Sequence, residues 1–142
     1  MNTARGRVVN RQSMVSAPLK ALVQKGLLVG RVLDYGSGRG TDADKLGMEK
    51  YDPHYHSTRP KGKFDTVVSS YVLNVIHPVN IDDVVSDMYD LLKDGGKAYI
   101  AVRRDIKQEG YTSTGTLQHH VVLNLPVESR MAGKFVIYRL ER

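Results

Sequence analysis

One stretch of the sequence decides the fold: VLDYGSGRG, residues 32–40. A short apolar strand ends in the acidic residue Asp34, and a turn follows with glycines at every second position, at Gly36, Gly38 and Gly40. Glycines adopt positive φ angles and let the backbone approach a ligand closely. Because the N–H groups of such a turn, and of the helix it opens, favour negative or oxygen-rich groups, the stretch predicts a site for a nucleoside-bearing cofactor.

The spacing of the glycines separates two kinds of cofactor. A dinucleotide-binding turn has the pattern Gly-x-Gly-x-x-Gly, which seats a pyrophosphate on a helix N-terminus. Here the pattern is Asp-x-Gly-x-Gly-x-Gly, and the charge of Asp34 repels a pyrophosphate but attracts a cationic amino-acid group. S-adenosylmethionine carries such a group together with a sulfonium, so the pattern favours it over a dinucleotide.

The stretch resembles the first motif of the class I S-adenosylmethionine-dependent methyltransferases. Three later segments resemble the motifs that follow in that family: Tyr51-Asp52-Pro53, FDTVVSSYVLNVI at residues 64–76, and LLKDGGKAYIAV at residues 91–102. The resemblance covers residues 14–142 and implies an enzyme that transfers a methyl group from S-adenosylmethionine to an unidentified acceptor, either nucleic acid or a small molecule. The opening of the chain and residues 71–76 are also loosely similar to methyltransferases found with DNA-modification systems.

The resemblance implies which residues bind the cofactor. We expect Asp34 to reach the amino group of S-adenosylmethionine, directly or through water, and Asp52 to accept both ribose hydroxyls. Structural alternatives are a carboxylate that caps the turn for Asp34 and a turn residue for Asp52, while Asp42 either caps a helix or reaches the amine. The expected cofactor-binding set is Asp34, Gly36, Ser37, Gly38, Gly40, Asp42, Asp52, Pro53, Ser70 and Tyr71.

Methyl transfer is an in-line displacement that needs alignment, exclusion of water and sometimes removal of a proton. No fixed triad is required, and our candidates for catalysis are Tyr71, Asn74 and Arg104, with packing in the core as the alternative for Tyr71. Ser69-Ser70-Tyr71-Val72 stands where amino-methylating nucleic-acid enzymes have Asp/Asn-Pro-Pro-Tyr/Phe, which argues against the usual base-amine chemistry.

A charged group follows the strand that ends near residue 103. Arg103, Arg104 and Asp105 either hold a phosphate or carboxylate of the substrate or form a solvated cluster with an internal ion pair.

Strands that alternate with helices predict an α/β fold with a Rossmann-like, mostly parallel sheet of about six strands. We expect a helix over residues 81–93, a strand over 97–103, and an antiparallel C-terminal hairpin between residues 116–125 and 134–140. The interval from Asp52 to Phe64 is too short for the third strand of the family and its helix. We therefore expect that unit to be missing, and with it the adenine contact of the family.

Composition predicts one domain, residues 14–142, after a basic arm at residues 1–13. The chain has 142 residues, no cysteine and a formal net charge of +6. We expect no metal site, at His54 and His56 or elsewhere, and expect only one of His119 and His120 to face inward, because neighbours on a strand point opposite ways.

No apolar run approaches the length of a membrane helix, so we expect a soluble cytoplasmic protein without membrane contact. Arg5, Arg7 and Arg11 in the arm either contact nucleic-acid phosphates or serve solubility.

Three hypotheses about function follow from the sequence. The first is a methyltransferase, the second is an S-adenosylmethionine-binding protein without transfer activity, such as a sensor or partner subunit, and the third is a dinucleotide-binding module, which the glycine spacing disfavours. The sequence names neither the acceptor nor the oligomeric state.

Overall fold

A computed structural model describes residues 15–38, 40–52, 58–113 and 115–142. The strands are β1 (Val32–Tyr35), β2 (Glu49–Tyr51), β3 (Phe64–Ser70), β4 (Leu92–Arg103), β5 (Gly110–Tyr111), β6 (Leu117–Gln118), β7 (Val127–Met131) and β8 (Phe135–Glu141). The α-helices are α1 (Ala17–Gln24), α2 (Thr41–Leu46) and α3 (Ile81–Asp90), and 3₁₀ turns occupy Leu73–Val75 and Pro78–Asn80. No helix in these ranges is long and apolar enough to cross a membrane.

Six strands form one sheet in the order β2-β1-β3-β4-β8-β7, and β5 and β6 form a separate hairpin. The first four strands of that order run parallel, while β8 is antiparallel to both β4 and β7. The predicted α/β fold, its parallel sheet and its antiparallel C-terminal strand pair are therefore confirmed. Within the described ranges β2 is the edge of the sheet, so the third-strand unit is missing as expected.

Side chains of a strand alternate between the two faces of the sheet, and on each face the apolar ones form a core with a covering helix. One core lies under α3 and contains Leu33, Val67, Ile100 and Met88. The other lies under α1 and contains Leu19, Leu22, Val68, Tyr99 and Ile137. Asp34 stands between Leu33 and Tyr35 of the first core, so its carboxylate belongs to the opposite face of β1.

A helix was expected over residues 81–93, and its predicted C-terminal end is wrong, because α3 ends at Asp90 and β4 begins at Leu92. The cause is an irregular start of the strand, where Phe64 pairs with Leu92 and the register then shifts. A Cβ on Gly96 would lie 2.9 Å from the carbonyl oxygen of Lys93 and 3.0 Å from that of Phe64. The glycine pair thus fits a bulge inside the strand instead of ending a helix.

The predicted partner of the last strand is also wrong. Residues 116–125 do not pair with β8; its hairpin partner is β7, and β6 pairs with β5. The alternating apolar residues Val121, Leu123 and Leu125 pack on the α3 face of the sheet. The polar residues of β7 suit an edge strand with a solvated face. Sequence periodicity therefore selected the apolar segment 116–125 as the partner of the last strand and treated the polar segment of β7 as a loop.

Candidate functional site

The carboxyl ends of the parallel strands enclose a cavity of about 410 Å³, the place where open α/β sheets bind ligands. Its lining combines the glycine turn after β1, the end of β2, the end of β3 and the segment that leads into α3. The lining residues are Tyr35, Gly36, Gly38, Asp52, Ser70, Tyr71, Val72, Val75, Ile76 and Val84.

The glycine turn is fastened to the end of β2. The N–H of Gly36 donates to the carbonyl of Tyr51 at 2.8 Å, and the N–H of Gly38 donates to Oδ2 of Asp52 at 2.8 Å. Gly36 has a φ of 72°, and a Cβ there would lie 2.5 Å from Cγ2 of Val72. Both N–H groups point to protein oxygens, so this turn does not present them to a pyrophosphate.

Three carboxylates, Asp34, Asp42 and Asp52, gather around that turn. Asp34 is only 4% exposed, and burial raises its pKa to about 7, with the negative charges of Asp42 and Asp52 adding to the rise. Asp42 lies in the first turn of α2, where a carboxylate also interacts favourably with the helix dipole. A cation bound here relieves the repulsion among the three groups, so the electrostatics favour a positively charged ligand.

The structure brings most of the predicted cofactor residues to this place. Gly36, Gly38, Asp52, Ser70 and Tyr71 line the cavity. The remaining predicted residues lie in or behind the glycine turn or beyond the described ranges. Asp34 is buried behind the turn, Gly40 caps α2, the Oγ of Ser37 is buried without a hydrogen-bond partner among the described residues, and Pro53 lies outside them.

Tyr71 has the only positive φ, 65°, of a non-glycine residue in the described ranges. Its N–H donates to the carbonyl of Ala101 at 2.9 Å, and the guanidinium carbon of Arg103 lies 6.0 Å from the centre of its ring. Burial raises the pKa of the phenol, with a further rise from Asp105. Backbone strain of this kind is held at functional sites, and here it places a neutral aromatic ring in the wall of the cavity.

Asn74 and Arg104, two of the residues predicted for catalysis, make structural hydrogen bonds outside the lining of the cofactor cavity. Asn74 is fully buried; its Nδ2 donates to the carbonyl of His119 at 2.9 Å, and its Oδ1 accepts from the N–H of Arg103 at 2.7 Å. Arg104 donates to the carbonyl of Val121 at 2.8 Å. Neither residue belongs to the lining, although both follow strand ends, which is the feature that suggested them for catalysis.

Sequence reasoning missed the apolar part of the lining: Tyr35, Val72, Val75, Ile76 and Val84. Most of these residues belong to the run VLNVI or, in the case of Val84, to the side of α3 that packs on the core, and in the sequence they resemble ordinary core positions. The structure distinguishes Val75 from a core residue by its 42% exposure, and no feature of the sequence indicates that exposure.

A second cavity of about 520 Å³ adjoins the first and shares Tyr35, Ile76 and Val84 with it. The rest of its lining is polar and comes from α3 and the turn before it: Asn80, Asp83 and Asp87. Asp87 is engaged, because it accepts from the hydroxyl of Tyr35 at 2.7 Å and pairs with Arg59 at 2.9 Å.

The histidines do not assemble a metal site in the part of the chain that the structure describes, where no three metal-ligating side chains meet. His119 is buried, with its Nε2–H donating to the carbonyl of Ile76 at 2.7 Å, and His120 is exposed. The expectation that only one of the two faces inward is confirmed, although β6 ends at Gln118 and neither histidine belongs to a strand. His54 and His56 lie outside the described residues.

Comparison with known proteins gives the family. Residues 9–130 match a family described as a methyltransferase domain. No curated protein matches the chain.

Several solved structures share the fold. Magnesium protoporphyrin IX methyltransferase from Synechocystis PCC 6803, solved with bound S-adenosylmethionine, is 15% identical, with a TM-score of 0.50 over 92% of this chain and 79% of that one. The DhpI complex with S-adenosylhomocysteine is 12% identical, with a TM-score of 0.52 over 97% and 92% of the two chains. An amino pentose methyltransferase from Micromonospora echinaspora is 15% identical, with a TM-score of 0.50, and this chain spans only 58% of it.

Proposed function

The chain belongs to the methyltransferase-domain family and is an S-adenosylmethionine-dependent methyltransferase, and we propose that its acceptor binds on the side of the cavity formed by Ser70 and Tyr71. The assignment of the cofactor rests on one observation: the carboxylates of Asp34, Asp42 and Asp52 lie close together around one glycine turn beside this cavity.

The described residues fit S-adenosylmethionine part by part. Asp34 and Asp42 favour its ammonium group, because a cation offsets their mutual repulsion. The carboxylate of Asp52 is oriented by the N–H of Gly38, and a carboxylate accepts several hydrogen bonds at once, which suits the ribose hydroxyls. The buried Oγ of Ser37 provides a further polar atom in the same turn.

Adenine requires a different solution from that of the family, because the third-strand unit is missing. We place the base against the apolar wall of Val72, Ile76 and Val84, of which Ile76 and Val84 line both cavities. Its amino edge then faces Asn80 and Asp83 at the start of α3. A carboxylate or amide oxygen is the acceptor that an exocyclic amine requires.

When bound, S-adenosylmethionine supplies a methyl group on a positively charged sulfur. The protein aligns the acceptor and excludes water, and the strained backbone of Tyr71 sets its ring as a rigid wall for that purpose. The raised pKa keeps the phenol protonated, so Tyr71 aligns the acceptor rather than removing its proton.

Calorimetry tests the cofactor assignment. The chain is expected to bind S-adenosylmethionine and S-adenosylhomocysteine, and Asp52→Ala is expected to weaken S-adenosylmethionine more than a 2′,3′-dideoxyribose analogue, since the carboxylate is assigned to those hydroxyls. Equal losses for both ligands would make Asp52 a turn residue.

A screen with tritiated methyl donor against DNA, RNA and small-molecule pools then tests transfer. Binding without transfer to any pool would select the alternative of a sensor or partner subunit.

Nucleic acid as a partner and a cytoplasmic location, both suggested by the sequence, stay proposals. Arg5, Arg7 and Arg11 lie outside the described residues, so nucleic-acid contact through the basic arm rests on charge alone. A cytoplasmic location likewise rests on the sequence.

A further inference from the structure

A third cavity, of about 360 Å³, opens at the turn between β7 and β8. Its lining residues are Arg104, Arg130, Met131, Ala132, Gly133, Phe135 and Val136. Arg103 at the carboxyl end of β4 pairs with Phe135 at the start of β8, so this cavity lies at the same edge of the sheet as the cofactor cavity.

The charge at this cavity is positive. Arg104 and Arg130 line it, and Lys134 is part of the same turn. None of the three forms an ion pair with a carboxylate of the described residues. The carboxylate next to Arg104, that of Asp105, is held by Arg103 through two hydrogen bonds, at 2.8 and 3.0 Å, and Lys134 adds to the lowering of its pKa. The acid nearest to Arg130 along the chain, Glu128, forms ion pairs with Lys25 and Arg139, both at 3.1 Å.

Arg104 is fixed in place by neutral acceptors. Its Nη1 donates to the carbonyls of Val121 at 2.8 Å and Arg103 at 3.2 Å, and its Nη2 donates to the hydroxyl of Tyr138 at 2.9 Å. A guanidinium carries five N–H donors, so these contacts orient it without neutralising it. A half-buried cation without a counter-ion is costly, and an anion in the cavity removes that cost.

The position of the cavity relates it to methyl transfer. β3, which ends at Ser70 in the wall of the cofactor cavity, and β8, which begins at Phe135 in the wall of this cavity, are separated by β4 alone. Because neighbouring strands lie about 4.8 Å apart, the backbones of β3 and β8 are roughly 10 Å apart. The guanidinium carbon of Arg103, the residue before Arg104, lies 6.0 Å from the centre of the Tyr71 ring, which lines the cofactor cavity. One acceptor molecule can therefore reach the methyl group with one end and this cavity with the other.

We propose that the cavity formed by Arg104 and Arg130 binds a phosphate group of the methyl acceptor. Two guanidinium groups and the neighbouring ammonium of Lys134 match the charge of a phosphate better than that of a single carboxylate, and guanidinium groups bind phosphate oxygens in pairs. The proposal rests on the proposed methyltransferase function and names the class of its substrate, a phosphate ester.

The test is a titration of the isotope-labelled protein with inorganic phosphate at low ionic strength, followed through the backbone amide signals of Gly133 and Lys134. These signals are expected to shift and saturate for the wild type. Arg130→Gln, at an exposed position, is expected to weaken binding about tenfold, the usual effect of losing a hydrogen bond to a charged group. Arg104→Gln is expected to weaken it at least as much.

Arg142→Gln is the matched control, since it removes the same charge at the opposite end of the sheet, where Arg142 pairs with Gly96. It is expected to leave phosphate binding unchanged. An equal loss in Arg142→Gln and Arg130→Gln, or wild-type signals that do not saturate, would overturn the proposal. Acetate in place of phosphate is expected to bind more weakly; equal or tighter binding would make the site a carboxylate site.

Calorimetry with S-adenosylhomocysteine on the same samples separates this proposal from the proposed function. Binding of the cofactor product without phosphate binding overturns the phosphate site alone, whereas phosphate binding without S-adenosylhomocysteine overturns the methyltransferase assignment. Competition of a mononucleotide and of a single-stranded oligonucleotide with inorganic phosphate then distinguishes a small phosphate ester from nucleic acid. Failure of both to compete would overturn the site as a subsite for a phosphate ester.

Discussion

Asn74 and His119 hold each other through a reciprocal pair of hydrogen bonds. The Nδ2 of Asn74 donates to the carbonyl of His119 at 2.9 Å, and the N–H of His119 donates to the carbonyl of Asn74 at 3.0 Å. The Oδ1 of Asn74 also accepts from the N–H of Arg103 at the end of β4. One buried side chain thus joins the loop below the cofactor cavity to the end of β4 and to the segment after β6.

Asn74→Ala is expected to lower the free energy of unfolding by about 1–3 kcal/mol, because it leaves the buried carbonyl of His119 and the N–H of Arg103 without these partners. Urea denaturation measures the loss. Asn80→Ala, which changes an exposed asparagine in the same connection, is the control and is expected to have little effect on stability. Equal stability of Asn74→Ala and the wild type would mean that water replaces the side chain.

The glycine turn and the strand ends were predictable because they are local. Asp34 lies near the end of β1, and Gly36 and Asp52 directly follow β1 and β2. Because ligands lie beyond the carboxyl ends of parallel strands, these positions predicted the site. The short interval after Asp52 also predicted the missing strand, since a strand and a helix need more residues than it contains.

The parts that depend on tertiary packing were not predictable. Val121 has the alternation of a strand residue, yet it packs on the face of the sheet, and the polar strand that contains Arg130 pairs with β8 instead. Arg104 lies at the end of a strand, as Ser70 does, but its guanidinium points to the hydroxyl of Tyr138 on β8. Sequence spacing does not reveal that contact.

Gly36→Ala is expected to destabilise the protein and to reduce cofactor affinity. The new Cβ meets Val72 at 2.5 Å and the φ of 72° strains any other residue, so the two costs add to about 2–4 kcal/mol. Gly26→Ala is the matched control, because Gly26 has a φ of 68° with nothing within 4 Å of a Cβ. It is expected to lose only the strain term, about 1 kcal/mol.

Adding Val72→Ala to Gly36→Ala is expected to recover the steric part of the loss in thermal unfolding experiments. If Gly36→Ala and Gly26→Ala prove equally destabilising, the contact with Val72 has no cost, and the close approach of turn and loop is not what requires glycine.

The raised pKa of Asp34 makes stability depend on pH. Its folded-state pKa of about 7 lies above the ordinary value near 3.9, so the folded state binds more protons than the unfolded state between these values. Stability of the ligand-free protein is therefore expected to fall as pH rises through this window, and to be lower at pH 8 than at pH 5 by at most roughly 2–3 kcal/mol from this group.

Asp34→Asn is expected to abolish that slope in thermal unfolding measured across the window, whereas Asp94→Asn, at a side chain that is 100% exposed, is expected to retain it. Affinity for S-adenosylmethionine follows the opposite direction, because its cationic group prefers the ionised carboxylate. It is expected to rise with pH through about 7 in the wild type and to stay low and flat in Asp34→Asn. The same slope in Asp34→Asn and the wild type would assign the titration to another group.

The start of α3 carries two acids of the same type in different places. Asp83 lines the cavity where we place the adenine edge, whereas Asp82 does not, although both lie in the first turn of the helix and are exposed. Replacing either by alanine removes one charge at the same helix N-terminus, so the helix-dipole effect is matched within the pair. A difference between the two variants in ligand binding therefore reports the cavity.

S-adenosylhomocysteine and S-inosylhomocysteine distinguish the two positions, since the second ligand has a carbonyl oxygen in place of the amine that a carboxylate accepts from. The wild type is expected to prefer the adenosyl ligand in calorimetry. Asp83→Ala is expected to reduce that preference by about fivefold, corresponding to about 1 kcal/mol for one exposed hydrogen bond. Asp82→Ala is expected to retain the preference. Because both ligands share the ribose and the amino-acid part, a change in their ratio cannot arise at Asp52 or Asp34. An unchanged ratio in Asp83→Ala would move the adenine edge away from α3 and leave its recognition to the apolar wall alone.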